Sequence, residues 1–135
     1  MNNDAAADSL NSYRWKNRLI IASVPSKEER DNLAASLVSD STNLVSRNLV
    51  VIDVTLGTEL IPGTVHPDQE QTNMLRHRFK LNSAKKTSQY ILIGKDGGEK
   101  ARQQGALNLA NWLDLIDEMP MRRVEIKDQA LDKKQ

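Results

Sequence analysis

Arg18-Leu19-Ile20-Ile21-Ala22-Ser23-Val24-Pro25-Ser26 is the stretch on which the fold turns. A short, almost unbroken apolar run is what a strand looks like when both faces of its sheet are covered. Pro25 ends the run. Ser26 and Glu29 then have the spacing of a capping box, in which each side chain satisfies the other residue's backbone N–H. The reading is a buried strand that passes directly into a helix.

Working outward, Leu33, Leu37, Leu44 and Val45 form the buried stripe of that helix, with Val38 at its margin and Arg47-Asn48 at its end. Leu49–Leu56 is the strongest strand, β-branched and mostly apolar, and so central. Gly57–His66, with Pro62 and two glycines, reads as a loop. Pro67 fits the first turn of a second helix, with Asp68 and Glu70 facing its positive end and Leu75 and Phe79 on its inner face. Gln89–Gly94 is a third strand. Asp96-Gly97-Gly98 is a hairpin signal, returning as a polar edge strand over Glu99–Arg102. Leu109, Trp112, Leu113 and Ile116 give Asn108–Glu118 one apolar helical face. Pro120 stops that helix, and the charged segment after Glu125 reads as loose.

The order is therefore β-α-β-α-β-β-α. The first two strands, linked through a helix, are expected to be parallel with a right-handed crossover, and the last two antiparallel. A mixed four-stranded sheet with helices on both faces is a thioredoxin-like α/β arrangement. The expected division is an N-terminal arm over 1–11, one domain over 12–126 and a charged tail over 127–135.

Composition narrows the chemistry. With no cysteine among 135 residues, disulfides, thiolate nucleophiles and cysteine-based metal sites are excluded. The net charge of +1 is no argument for a nucleic-acid partner. It is unevenly spread: residues 1–75 carry six Lys/Arg against ten Asp/Glu, and residues 76–135 thirteen against eight. No apolar run approaches the roughly 20 residues of a membrane helix. Met1–Leu10 lacks the basic start and apolar centre of a secretory signal, so the sequence as written reads as cytoplasmic. It reads as periplasmic or secreted if an export signal has been removed.

Three segments carry a family resemblance: Tyr13-Arg14-Trp15-Lys16-Asn17-Arg18, Ile93-Gly94-Lys95-Asp96-Gly97-Gly98-Glu99-Lys100 and Ile116-Asp117-Glu118-Met119-Pro120-Met121-Arg122-Arg123. Over about residues 10–126 the chain resembles a bacterial domain-of-unknown-function family, the DUF 4174 type. That family is related to a domain in vertebrate sushi-repeat and coiled-coil-domain matrix proteins. The resemblance implies a thioredoxin-like fold, distantly related to peroxiredoxins, without an established activity. It also implies export for many members.

Thioredoxin-like enzymes carry their reactive cysteine where the first strand meets the first helix, whose N-terminus stabilises the thiolate. Here Ser26 stands near that position, as a helix cap with no histidine adjoining it in sequence. The proline that often faces the site just before the third strand has no counterpart in residues 85–89. The redox position is thus expected to be vacant, and no cofactor is called for. Lys95, Asp96, Gly97, Lys100 and Arg102 form either a plain turn or an anion-binding patch. Arg122 and Arg123 either cap a helix and pair with Asp117, Glu118 or Asp53, or form a protein-binding surface with Met119 and Met121. His66, Glu70 and His77 would make a metal site only if the fold converged them, and no metal is expected. Arg76, Arg78, Lys80, Lys85 and Lys86 read as a solvated helix face rather than a nucleic-acid groove, because few aromatics interleave with them. The leading expectation is a redox-inactive module that binds another protein or an envelope surface through Arg122, Arg123 and the Lys95–Gly98 turn. The alternative is a cysteine-independent enzyme or small-anion binder at Ser26 or the Lys95–Gly98 turn.

Overall fold

The computed structural model describes residues 10–57, 59–82 and 86–133. Its elements are β1 (Arg18–Ser23), α1 (Lys27–Ser39), α2 (Ser41–Ser46), β2 (Leu49–Asp53), α3 (Gln69–Arg78), β3 (Gln89–Ile93), β4 (Glu99–Gln104), α4 (Leu109–Asp117) and α5 (Pro120–Lys133). The sheet order is β2-β1-β3-β4. β1 and β2 are parallel, β1 and β3 antiparallel, and β3 and β4 antiparallel. The apolar runs of β1 and β3 thus lie in the two central positions, whereas β2, expected from its sequence to be central, is an edge strand with an isolated parallel bridge from Ile52 to Val65 on its outer side. This is the mixed four-stranded, thioredoxin-like α/β arrangement.

Alternation along the strands divides the core in two. Ile20, Ala22, Val24, Tyr90 and Leu92 face a layer that includes Leu33 and Leu37 of α1 and Trp112, Leu113 and Ile116 of α4. Leu19, Ile21, Ile91 and Ile93 face Leu75 and Phe79 of α3. Each such side chain, fully buried, contributes about 1.5–3 kcal/mol. Leu10, assigned by sequence to the arm, is buried in the second layer; residues 1–9 of the arm lie outside the described residues, as does Lys85.

Four helical segments also differ from the sequence reading. The first helix is two: α1 ends at Ser39, with Asp40 as its C-cap, and α2 begins at Ser41. Ser39-Asp40-Ser41-Thr42-Asn43 is a run of residues whose side chains compete for backbone groups, which favours a cap over a helix interior. The break turns Val45 outward, to 74% exposure, although Leu44 stays buried. The second helix starts two residues later than Pro67, with Asp68 outside it as N-cap, accepting from the Gln71 amide at 2.8 Å. Pro120 follows the end of α4 but also opens α5, a position where its missing N–H is not needed. Finally, the segment after Glu125 is helical to Lys133.

Candidate functional site

Buried polar side chains gather at the two ends of the sheet. The first group lies at the carboxyl ends of β1 and β2, the end at which open α/β sheets hold their ligands. Ser26 is the N-cap of α1, and its Oγ accepts from the Glu29 amide at 3.4 Å. Half of the expected capping box is therefore formed. The Glu29 carboxylate accepts instead from the hydroxyl of the buried Ser88. Asp53 is fully buried. Its Oδ1 accepts from the Thr55 hydroxyl at 2.6 Å and amide at 3.0 Å, while Oδ2 lies 3.3 Å from Arg30 Nη2. Arg30 also donates to the carbonyls of Val24, at 3.1 Å, and Glu59. The Val24 amide donates to Thr55 Oγ1 at 2.8 Å. The strand–helix junction is thus laced to the end of β2 by Arg30, Asp53 and Thr55. Beside it, the Tyr90 phenol is pushed up to about 12, by burial first and then by the Glu29 charge.

At this junction Ser26 is engaged in a structural role. Among the described residues its hydroxyl has no carboxylate or imidazole partner, and a serine without a base is a poor nucleophile. A 340 Å³ cleft runs past it between Pro25, Arg30 and Glu59–Pro62. A 540 Å³ cleft on the other side of Gly57 is lined by Thr55, His66, Asp68 and Thr72. His66 Nδ1 lies 3.7 Å from Asp53 Oδ2, whereas Glu70 and His77 are not drawn to it. Among the described residues no group of three His, Cys, Asp or Glu side chains is placed to hold a metal.

The second group lies at the other end of the sheet, where α5 docks. Arg18, 1% exposed, donates two hydrogen bonds to the Glu125 carboxylate, at 3.0 and 3.1 Å, and one to the Arg47 carbonyl at 2.9 Å. Lys95 reaches the same carboxylate at 2.7 Å and Asn48 Oδ1 at 3.1 Å. Arg47 grips Asp117 through two bonds at 3.0 and 2.8 Å. Arg122 is buried and reaches Asp117 at 3.0 Å and the Ser46 carbonyl at 2.8 Å. Four cations thus share two carboxylates, with backbone carbonyls taking further donors. Burial pushes the Glu125 carboxyl up, but the hydrogen bonds from Arg18 and Lys95 outweigh it and hold the group below the usual carboxylate range. Asp117 is held down in the same way, against burial, by Arg47 and Arg122.

The residues singled out from sequence are dispersed by this geometry. Lys95 and Arg122 are brought together, through Glu125, inside the ion network. Arg123 is on the exposed side of α5. At the hairpin, Lys100 pairs with Asp96 at 2.8 Å; Arg102 pairs with Glu99 at 2.9 Å and donates to the Phe79 carbonyl at 2.9 Å. Lys95 is directed away from Lys100 and Arg102, so the three do not converge. Gly97 occupies the left-handed region, φ +87°, as the turn requires. Tyr13 packs at the edge of the second core layer, while Trp15 is 59% exposed beneath the Arg14 guanidinium. Of the basic stretch on α3, Arg76 is buried and Arg78 lies 5.1 Å over the Phe79 ring.

Sequence reasoning missed Arg18, Arg30, Arg47, Asp53 and Glu125 as site residues. Two left a signal: Arg18 and Asp53 sit in otherwise apolar strands, and a charge in a strand covered on both faces must be paired.

The sheet order and the helical layers on its two faces define a thioredoxin-like α/β fold. Solved structures agree. The reduced 2-Cys peroxiredoxin of Plasmodium vivax superposes with a TM-score of 0.58 at 14% identity, over 80% of each chain. The mitochondrial 2-Cys peroxiredoxin of Plasmodium falciparum gives 0.54 at 11% identity, over 80% of this chain and 78% of that one. At these identities the likeness is one of fold. The chain itself belongs to the family described as "Domain of unknown function (DUF4174)", whose model matches residues 9–125. It is also 30% identical, over 89% of its length, to the zebrafish (Danio rerio) "Coiled-coil domain-containing protein 80", of which it spans 16%. No helix among the described residues is long and apolar enough to cross a membrane.

Proposed function

We propose that this chain is a redox-silent binding module that engages another protein through the outward face of α5. The observation that carries the reading is the orientation of that helix. Arg122, Glu125 and Gln129, at i, i+3 and i+7, turn inward: Arg122 and Gln129 bond the Ser46 carbonyl at 2.8 and 3.0 Å, and Glu125 takes Arg18 and Lys95. Val124 and Leu131, seven residues apart, are left exposed on the other side, and Met121 and Ile126 are exposed on the flanks. A surface helix ordinarily buries its apolar stripe and exposes its polar one; α5 does the reverse. Exposed Arg123 and Lys127 rim the apolar strip. The fitting partner is an apolar segment with acidic flanks, laid along the helix. The vacant redox position supports the same reading, since Ser26 caps α1 and the junction is internally bonded.

The test uses a Met121→Ser, Val124→Ser, Leu131→Ser variant beside Arg123→Glu. Both are expected to melt within a few degrees of the wild type, because the altered side chains face solvent, and both are expected to lose proteins that the wild-type chain crosslinks in its host. A triple variant that keeps the same crosslinked partners would refute the assignment. Sedimentation of the wild type reports whether the occupant is a second copy instead.

A further inference from the structure

Five cations are buried among the described residues: Arg18, Arg30, Arg76, Lys95 and Arg122. Four of them have a carboxylate, as Arg18 and Lys95 share Glu125, Arg30 has Asp53 and Arg122 has Asp117. Arg76, 7% exposed, has none among the described residues. Its Nη1 donates to the Ser23 hydroxyl oxygen and to the Val54 carbonyl, both at 2.8 Å. These neutral acceptors orient the guanidinium without balancing its charge, and burial accordingly lowers its pKa.

A second, independent feature lies at the same place. Gln89 is the first residue of β3, 5% exposed, and its Nε2 has no hydrogen-bond partner. Gln89 is the partner of Ser23 across the antiparallel β1–β3 pair. Side chains of directly opposed residues leave the sheet on the same face, their Cβ atoms about 4.5–5.5 Å apart. The side chain that carries the unmade amide donor therefore leaves the sheet on the same face as the hydroxyl that Arg76 already touches. A buried charge without a counter-charge and a buried donor without an acceptor are each destabilising, and a bound anion would relieve both.

We propose that Arg76, Gln89 and Ser23 form a site for a small oxyanion, a carboxylate or phosphate borne by a small molecule. With Nη1 committed to protein acceptors, the Nε–Nη2 edge of the guanidinium is the fork that carboxylates and phosphates fit. Thr72, one turn before Arg76 on α3, lines the 540 Å³ cleft with Thr55 and His66. Asp68 also lines it, with Oδ1 occupied in capping α3.

The experiment compares thermal unfolding of the full chain in sodium phosphate, sodium acetate and sodium chloride at matched ionic strength. Either oxyanion is expected to raise Tm by several degrees over chloride, growing with the logarithm of its concentration once the site saturates. Gln89→Leu, which removes the orphan amide while keeping a buried side chain, is expected to abolish the rise. Arg76→Lys keeps the charge, removes the fork and is expected to reduce it. Proton–nitrogen spectra should show the Gln89 side-chain amide and Arg76 Nε–H shifting on titration, a readout that stands if Arg76→Lys fails to fold. A response to phosphate alone or to acetate alone identifies the ligand group. No rise over chloride up to tens of millimolar would overturn the site, as would an equal rise in Gln89→Leu, which places the ion elsewhere.

Discussion

Replacing Glu125 by Gln removes one charge and leaves two buried cations without a counter-ion. Arg18 is 1% exposed and Lys95 8%, while the Glu125 side chain keeps 18% of its surface. Breaking a fully buried pair by deleting one partner costs about 3–5 kcal/mol. Water at the Glu125 edge reduces that penalty, so about 2–3 kcal/mol is expected here. Against a total stability of about 5–15 kcal/mol, this is a Tm drop of about 6–15 °C. Urea unfolding followed by circular dichroism measures it directly. Hydrogen exchange decides how it is expressed: as α5 is held through this carboxylate, its amides should lose protection before those of β1 and β3. The pH dependence fixes the sign. Glu125 has a lower pKa in the folded chain than the ordinary value of about 4.3. Its contribution is therefore fully present above that ordinary value and is lost as pH falls through the folded one. The gap between wild type and Glu125→Gln should be constant from neutrality to about pH 5 and close in more acid solution. A loss under about 0.5 kcal/mol at neutral pH, the level of an exposed ion pair, would refute the view that this network seats α5.

Three further outcomes are expected. Asp53→Asn leaves Arg30 buried without its carboxylate and should cost about 3 kcal/mol by denaturant titration, with an exposed-pair value counting against the junction network. Val38→Ser and Val45→Ser should each stay within about 0.5 kcal/mol of wild type, while Leu44→Ala costs about 2–5 kcal/mol; equal losses at 44 and 45 would mean one continuous helix rather than α1 and α2. Ser26→Ala should cost about 1 kcal/mol, the value of a helix cap, measured by thermal unfolding.

The framework was legible because it rests on local patterns. The apolar runs of β1, β2 and β3, the Asp96-Gly97 turn and the i, i+3, i+4, i+7 stripe of α4 each declare themselves within ten residues. The break at Asp40 was obscured because Leu44 and Val45 both continue an apolar pattern, and only the cap chemistry of 39–43 argues against it. The networks were hidden for another reason. Arg18 meets Glu125 across 107 positions, and Arg47 meets Asp117 across 70. Such pairs have no sequence period, so the sequence could announce that Arg18 and Asp53 needed partners but could not name them.

The same long-range chemistry explains the orientation of α5. On a helical wheel, Met121, Val124 and Leu131 make an ordinary inward stripe, and a hydrophobic argument alone would bury them. Burying that stripe would turn Glu125 away from Arg18 and Lys95, leaving both cations in a dry environment at the end of a packed sheet. Exposing three apolar side chains forgoes about 1.5–3 kcal/mol for each that could have been fully buried. Keeping the carboxylate avoids stranding two buried charges, and Arg122 gains Asp117 and the Ser46 carbonyl in the same pose. The ion network thus holds α5 in the observed orientation. A partner that covers the outward strip would recover the forgone burial without disturbing the network. This gives the proposed binding face a physical cause: it is apolar because the opposite face of the helix is committed to neutralising the core.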